Sequence, residues 1–314
     1  MMDTAAFLPN PMLGAALAAG AMLLFAICSI TTASVMRRLD TDAGAMIAAF
    51  ANLPLGIVLL LGQWVLFGAL RPPSATGMLG FLLAGVFSTY LGRWLFFKSI
   101  ETAGPTRAAS FQTSSPLITA LLGWVFLGQF LTPLAMTGIA LGVLGLATTG
   151  LGSRRARKPA MAHQQQIDLQ RFALIGIGSA TAYSVSHILR AVSIQSWNEP
   201  IAGVALGACA GTLALTFVNR RKLGPLRLRI AEQPGAAMVY AGIGCMQVIA
   251  QAFMIASLAH IPASVAALIT MCTPLIVLPV SLLLFRNREG IGFFVVLGLA
   301  ITIGGVALTV LQSQ

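Results

Sequence analysis

Ten apolar tracts, divided by short polar turns, account for most of this chain, and that pattern rules out a soluble fold. They run Met12–Val35, Gly44–Gly68, Gly77–Phe97, Thr106–Leu127, Thr132–Leu151, Phe172–Ile194, Pro200–Val218, Pro234–Ser257, Ala263–Phe285 and Gly290–Leu311. At ~1.5 Å rise per residue each reaches about 30 Å as a helix, the thickness of a bilayer's hydrocarbon. Only 9% of the 314 residues are charged, against roughly a quarter in a soluble domain. Helices satisfy their own backbone in lipid, and the tracts lack the period-2 alternation of barrel strands. The expectation is an all-α membrane protein with about ten transmembrane helices.

The net charge of +11 would point to nucleic acid in a soluble protein. Here its source is the loops. Those after tracts 1, 3, 5, 7 and 9 hold 16 of the 19 lysines and arginines, while the loops after tracts 2 and 6 hold one each, Arg71 and Arg190. Basic loops face the cytoplasm, so this bias places the odd-numbered loops inside and both termini outside. The N-terminus has no basic segment ahead of its first apolar tract, and that tract reads as a permanent helix rather than a cleaved signal. The four cysteines, Cys28, Cys209, Cys245 and Cys272, lie within apolar tracts without a CxxC pair, so no disulfide framework or metal site is expected.

The longest polar stretch, GSRRARKPAMAHQQQIDLQR at 152–171, divides the chain into halves at 1–151 and 172–314. The halves look duplicated. At a shift of 158, Pro116 falls on Pro274, Ser99 on Ser257, Thr106 on Ser264 and Phe25 on Tyr183; at 160, Gln129 falls on Glu289 and Gly138 on Gly298. Five helices per half is an odd number, so the second half must enter the membrane in the opposite sense. Carriers use such inverted five-helix repeats because two inverted halves can exchange conformations around a shared midplane site.

The segment SSPLITALLGWVFLGQFLTPLAMTGIALGVLGLATTG at 114–150 combines a small-residue run, a mid-helix SP, an LG turn and a glycine-rich closing helix. With its second copy, it resembles the EamA-type members of the drug/metabolite transporter superfamily. The resemblance implies ten helices in two five-helix repeats around a central cavity, and a cargo such as amino acids, nucleotide sugars or drugs. Gln129 stands where that family usually has an acid, whereas Glu289 keeps it in the second copy. Members of the family are often drawn with both termini cytoplasmic, which the charge count here opposes.

Polar groups inside a bilayer are costly and turn toward the protein interior or a cavity, which makes them candidate cargo contacts. Tract 6 is the richest, with Ser179, Tyr183, His187 and Arg190 on one helical face. His187 is the one histidine well inside a tract, and with a reference pKa of about 6.5 it could exchange a proton during transport or simply bond a neighbouring helix. Arg93 lies near the inner end of tract 3, where it could snorkel outward, pair with Glu101, or present a bidentate fork to a carboxylate or phosphate. The repeat matches Arg93 with Gln251 and Thr89 with Gln247, so these positions are expected to line one cavity. Gln112, Ser115 and Thr119 share a face with Pro116 in tract 4, as Thr270 and Thr273 do with Pro274 in tract 9. Each proline would free a carbonyl one turn earlier and act as a hinge, or serve as a packing kink. Glycines at 138 and 142, and at 203, 207 and 211, form small-residue stripes suited to packing within a monomer or in a homodimer.

None of the eight acids lies deep in a tract, which disfavours a proton-coupled multidrug exporter and an aspartyl intramembrane protease. HExxH, GxSxG and P-loop patterns are absent. The sequence therefore points to a secondary transporter without cofactor or metal, exporting small metabolites such as amino acids across the inner membrane by rocking tracts 3–4 and 8–9. Its partners would be the small-molecule cargo and the lipid bilayer. The alternative is a membrane-embedded enzyme or accessory subunit, which would need a catalytic cluster at one membrane face.

Overall fold

Helix is the only regular structure among the described residues of this computed structural model, which are 10–35, 38–39, 41–68, 71–103, 112, 114–128, 132–155, 169–273, 276, 280 and 293–312. Pro274, Gln129, Glu289 and most of the basic linker lie outside them. The first half comprises α1 (Pro11–Val35), α2 (Thr41–Phe67), α3 (Ala75–Gly85), a π-helical stretch (Val86–Gly92), α4 (Arg93–Ala103), α5 (Ser115–Leu127) and α6 (Pro133–Arg155). The second comprises α7 (Leu169–Ser196), α8 (Pro200–Val218), a 3₁₀ turn (Arg220–Lys222), α9 (Leu223–Glu232), α10 (Pro234–Ser257), α11 (Ala263–Met271) and α12 (Phe293–Gln312). The basic loop after tract 7 is thus itself a short helix, α9. Five stretches are long and apolar enough to span a membrane unaided: Pro11–Thr32, Asp42–Leu66, Ala75–Phe96, Pro200–Val218 and Pro234–Ser257.

The duplication read from the sequence is built into the packing. Contacts survive exchange of the halves: α1 packs on α10 as α7 packs on α3, and α2 packs on α10 as α8 packs on α3. Equivalent helices run antiparallel. Along α2 and α8, the Thr212 hydroxyl donates to the Ala49 carbonyl at 3.0 Å while Gly56 faces Ala205 one to two turns further on. Along α6 and α12, Gly142 meets Gly305 and Gly145 meets Thr302. An antiparallel pair of equivalent helices is what inversion of the second half requires.

Close approach depends on glycine. A Cβ on Gly85 would land on the backbone of Gly207, one on Gly203 on the Phe81 ring, and one on Gly211 on Thr89. The stripe in α8 therefore seats α3 and the π-helical stretch within the monomer. The stripe in α6 serves α12 in the same way, its Gly138 carbonyl and Gly142 amide abutting Gly305. Large apolar side chains turn the other way: Val65, Phe126, Leu174, Phe217 and Met238 are 71–78% exposed, a surface suited to acyl chains.

Two sequence expectations are corrected. Pro116 is not mid-helix: Ser114 is a turn residue and the N-cap of α5, so the proline occupies the first helical turn. Its missing N–H would have no intrahelical partner there, and no carbonyl is freed within α5. The proline inside a helix among the described residues is Pro54, in α2. Arg190, tallied with the loop after tract 6 but also placed on that tract's polar face, lies within α7 and is only 6% exposed.

Gly85→Val is expected to destabilise the protein by about 1–3 kcal/mol, because the Gly207 backbone has nowhere to move. Gly62→Ala, at a site with no neighbour within 4 Å, is expected to be neutral or stabilising. Thermal unfolding of both purified variants in detergent checks this.

Candidate functional site

The polar residues that lipid excludes meet along α7, which packs on α3, the π-helical stretch, α4 and α5. Its serines reach across to neighbouring backbones. Ser179 donates to the Gly92 carbonyl at 2.9 Å, Ser186 to the Ala84 carbonyl at 2.9 Å, and Ser184 to the Ser115 carbonyl at 3.0 Å. Gln112 Nε2 donates to Ser179 Oγ at 2.5 Å, and the hydroxyls of Ser115 and Ser184 lie 3.0 Å apart. These bonds hold α7 against the first half.

Two small cavities continue the polar track between the halves. The outer one, of about 30 Å³, is lined by Asp42, Thr89, Tyr90, Arg93, Asn219 and Lys222 among others. The inner one, of about 20 Å³, includes Thr89, Asn52, Arg190, Gln251 and the glycine stripe of α8. Thr89 belongs to both. Each has room for about one or two waters.

The matched positions of the repeat meet here. Arg93 Nη2 donates to Gln247 Oε1 at 3.0 Å, while Thr89 and Gln251 face the inner cavity. Tyr183, half-buried, lies within electrostatic reach of both Arg93 and Arg190. Arg190 Nη2 donates to Ser88 Oγ at 2.9 Å. Ser88 stands roughly 20 Å along from the start of α3, at hydrocarbon depth. The π-helical stretch carries Ser88 and Thr89, and such wide turns often mark functional sites because they re-aim side chains out of the helical repeat.

The other expected residues sit around this track rather than on it. His187 is buried, with neither ring nitrogen hydrogen-bonded, and lines neither cavity. Gln112 and Ser115 are engaged at the α7 interface. Thr270 returns its hydroxyl to its own helix, at the Ala266 and Ala267 carbonyls. Sequence reasoning passed over Asn52, although a lone amide inside tract 2 could have signalled it. With its amide nitrogen turned inward, Asn52 donates to the carbonyls of Ala48 and Gly244, both at 2.8 Å. Among the described residues no cluster of His, Cys, Asp and Glu could hold a metal ion.

Each end of the antiparallel α2–α8 pair is clasped across the halves. At one end Lys222 Nζ meets Asp42 at 2.7 Å, with side chains 57% and 41% exposed, at the mouth of the outer cavity. At the other, Glu199 accepts from Gln63 Nε2 at 2.5 Å and from the Arg71 amide at 3.1 Å, and is buried. Both clasps set an acid at the start of one helix against a polar partner beyond the end of the other or near it. One is exposed and the other sealed.

The comparisons with known proteins agree with this arrangement. The sequence matches the EamA-like transporter family over residues 12–151 and again over 170–311. The chain belongs to the EamA-like transporter family. It is a membrane transporter of the drug/metabolite type, and its family is not one of enzymes. No curated protein sequence matches this EamA-like transporter. A solved structure, described only as "Crystal structure of protein", superposes with a TM-score of 0.70 at 16% identity, covering 96% of this chain and 97% of its own. That likeness is one of fold.

The two clasps are expected to differ in strength. Lys222→Ala should change stability by less than about 1 kcal/mol, as for exposed ion pairs. Glu199→Ala should cost about 1.5–3 kcal/mol, because it removes the buried acceptor shared by the half-buried Gln63 amide and the Arg71 N–H. Thermal unfolding in detergent separates the two.

Proposed function

We propose that this transporter moves small metabolites, amino acids among them, out of the cell across the inner membrane by alternating access, acting as a monomer. The observation that carries this reading is the polar track between the inverted halves, closed at its two ends by cross-half clasps of unequal strength. Neither of these two cavities, of 20–30 Å³, admits a metabolite, and on this reading the halves part there to load cargo. The exposed Asp42–Lys222 clasp is the one that opens with least cost. In the orientation favoured by the charge count, the loops carrying it face the cytoplasm and the sealed Glu199 clasp faces outward. Such a state is poised to load from inside, which supports export. The glycine stripes are occupied within the chain, which supports a monomer.

Arg93, Tyr183, Gln247 and Gln251 would contact cargo directly. Gln112, Ser115 and Thr270 would hold the surrounding helices, and His187 would stand behind the contact residues, facing Arg190. Pro116 would act as the pivot in the first turn of α5, and Pro274 as its counterpart in the repeat.

Purified protein in liposomes should move at least one solute in a panel of labelled amino acids, sugar nucleotides and drugs. Arg93→Gln should slow that flux by about tenfold or more, the worth of one charge-assisted hydrogen bond. A vesicle that moves none of them contradicts the proposal. With every acid outside the tract interiors, an imposed pH gradient should not drive accumulation of the solute. Accumulation that disappears in His187→Ala would instead assign proton coupling to that histidine.

A further inference from the structure

Arginines are rarely left in a membrane interior without a carboxylate, yet two stand here. Arg190 is 6% exposed, and one of its N–H groups goes to Ser88 Oγ. A guanidinium carries five donors, and Arg190 also lines the inner cavity. Arg93 lines the outer cavity and gives one N–H to Gln247. Tyr183 lies within reach of both guanidiniums. Among the described residues neither arginine is ion-paired: Asp42 is engaged by Lys222, and Glu199 by Gln63 and Arg71. Gln251 adds a buried Oε1 without a hydrogen-bond partner beside Arg190.

We propose that the cargo is a net-negative organic solute whose carboxylate or phosphate lies against Arg190 in an opened inner cavity, with Arg93 drawing it in. An uncompensated buried cation is costly and is relieved by an anion that accepts its fork of donors. A cationic group would meet two like charges, while the carboxylate of the outer cavity, Asp42, is already engaged by Lys222. A donor on the cargo, such as a hydroxyl or amine, would satisfy Gln251 Oε1. Hydroxy acids, dicarboxylates, acidic amino acids and phosphorylated polyols meet these terms. The proposal takes the cargo's role from the transport reading, while the binding it predicts is measured without transport.

The test uses the full-length protein in detergent and chloride-free buffer, with ligand-dependent thermal unfolding as readout. Lactate, succinate, glutamate and glycerol 3-phosphate are each compared with lactamide, succinamide, glutamine and glycerol, and lysine serves as the cationic control. At least one anion should stabilise the protein saturably while its neutral partner does not. Arg190→Lys should weaken the apparent affinity by about 10- to 100-fold, and Arg190→Gln should abolish binding. Arg190→Lys keeps the charge and carries the test if Arg190→Gln does not fold. Equal stabilisation by a neutral partner or by lysine overturns the proposal. So does an absence of stabilisation by all four anions, or an anion effect unchanged in Arg190→Lys. An anion that binds but is not moved across a bilayer leaves this site standing and removes the transport reading. A neutral solute that is moved, with no anion bound, does the reverse.

Discussion

Hydrocarbon offers no hydrogen-bond partner, and the arrangement of this protein follows from that refusal. Apolar side chains such as Phe217 and Met238 face outward, while serines, threonines and Arg190 face in. The inward groups then bond to one another and to neighbouring backbones, most densely along α7. Interhelical bonds of this kind contribute about 0.6–2 kcal/mol each, so it is their number, together with glycine-mediated contact, that holds the bundle. Gly85 against Gly207 and Gly142 against Gly305 bring backbones close enough for such short polar side chains to reach across.

The inverted symmetry is nearly complete in the scaffold and broken where cargo is expected. Position 93 is arginine in the first copy and its partner at 251 is glutamine; Thr89 pairs in the same way with Gln247. The π-helical stretch before Arg93 has no counterpart in α10, which is α-helical from Pro234 to Ser257. The two clasps are likewise related by the repeat but unequal in burial. A symmetric scaffold gives two interchangeable conformations, and the unequal residues decide which one rests and what it accepts.

Much of this was legible before the fold. Tract number and duplication are patterns of composition and spacing, and hydropathy is a local property. The richness of tract 6 was visible for the same reason. What could not be read depends on neighbours. Arg190 could be placed on the polar face of tract 6, but its partner Ser88 lies on another helix and was not visible. Asn52 looks isolated until Gly244 approaches. Pro116 looks internal because tract 4 is continuous in hydropathy, whereas the helix begins afresh at Ser115. The Asp42–Lys222 and Glu199–Gln63 clasps join residues far apart in sequence and follow only from the antiparallel pairing of α2 with α8.

The central claim is that the two halves open the polar track to each membrane face in turn. Thiol accessibility at position 89, which lines both cavities, tests this most directly. A Thr89→Cys protein lacking Cys28, Cys209, Cys245 and Cys272 would be placed in oriented vesicles with a membrane-impermeant maleimide. Alternating access predicts labelling from either face when the reagent is supplied on that face alone, with the ratio shifting as transported solute is added. Labelling from a single face, unchanged by any solute, would contradict it.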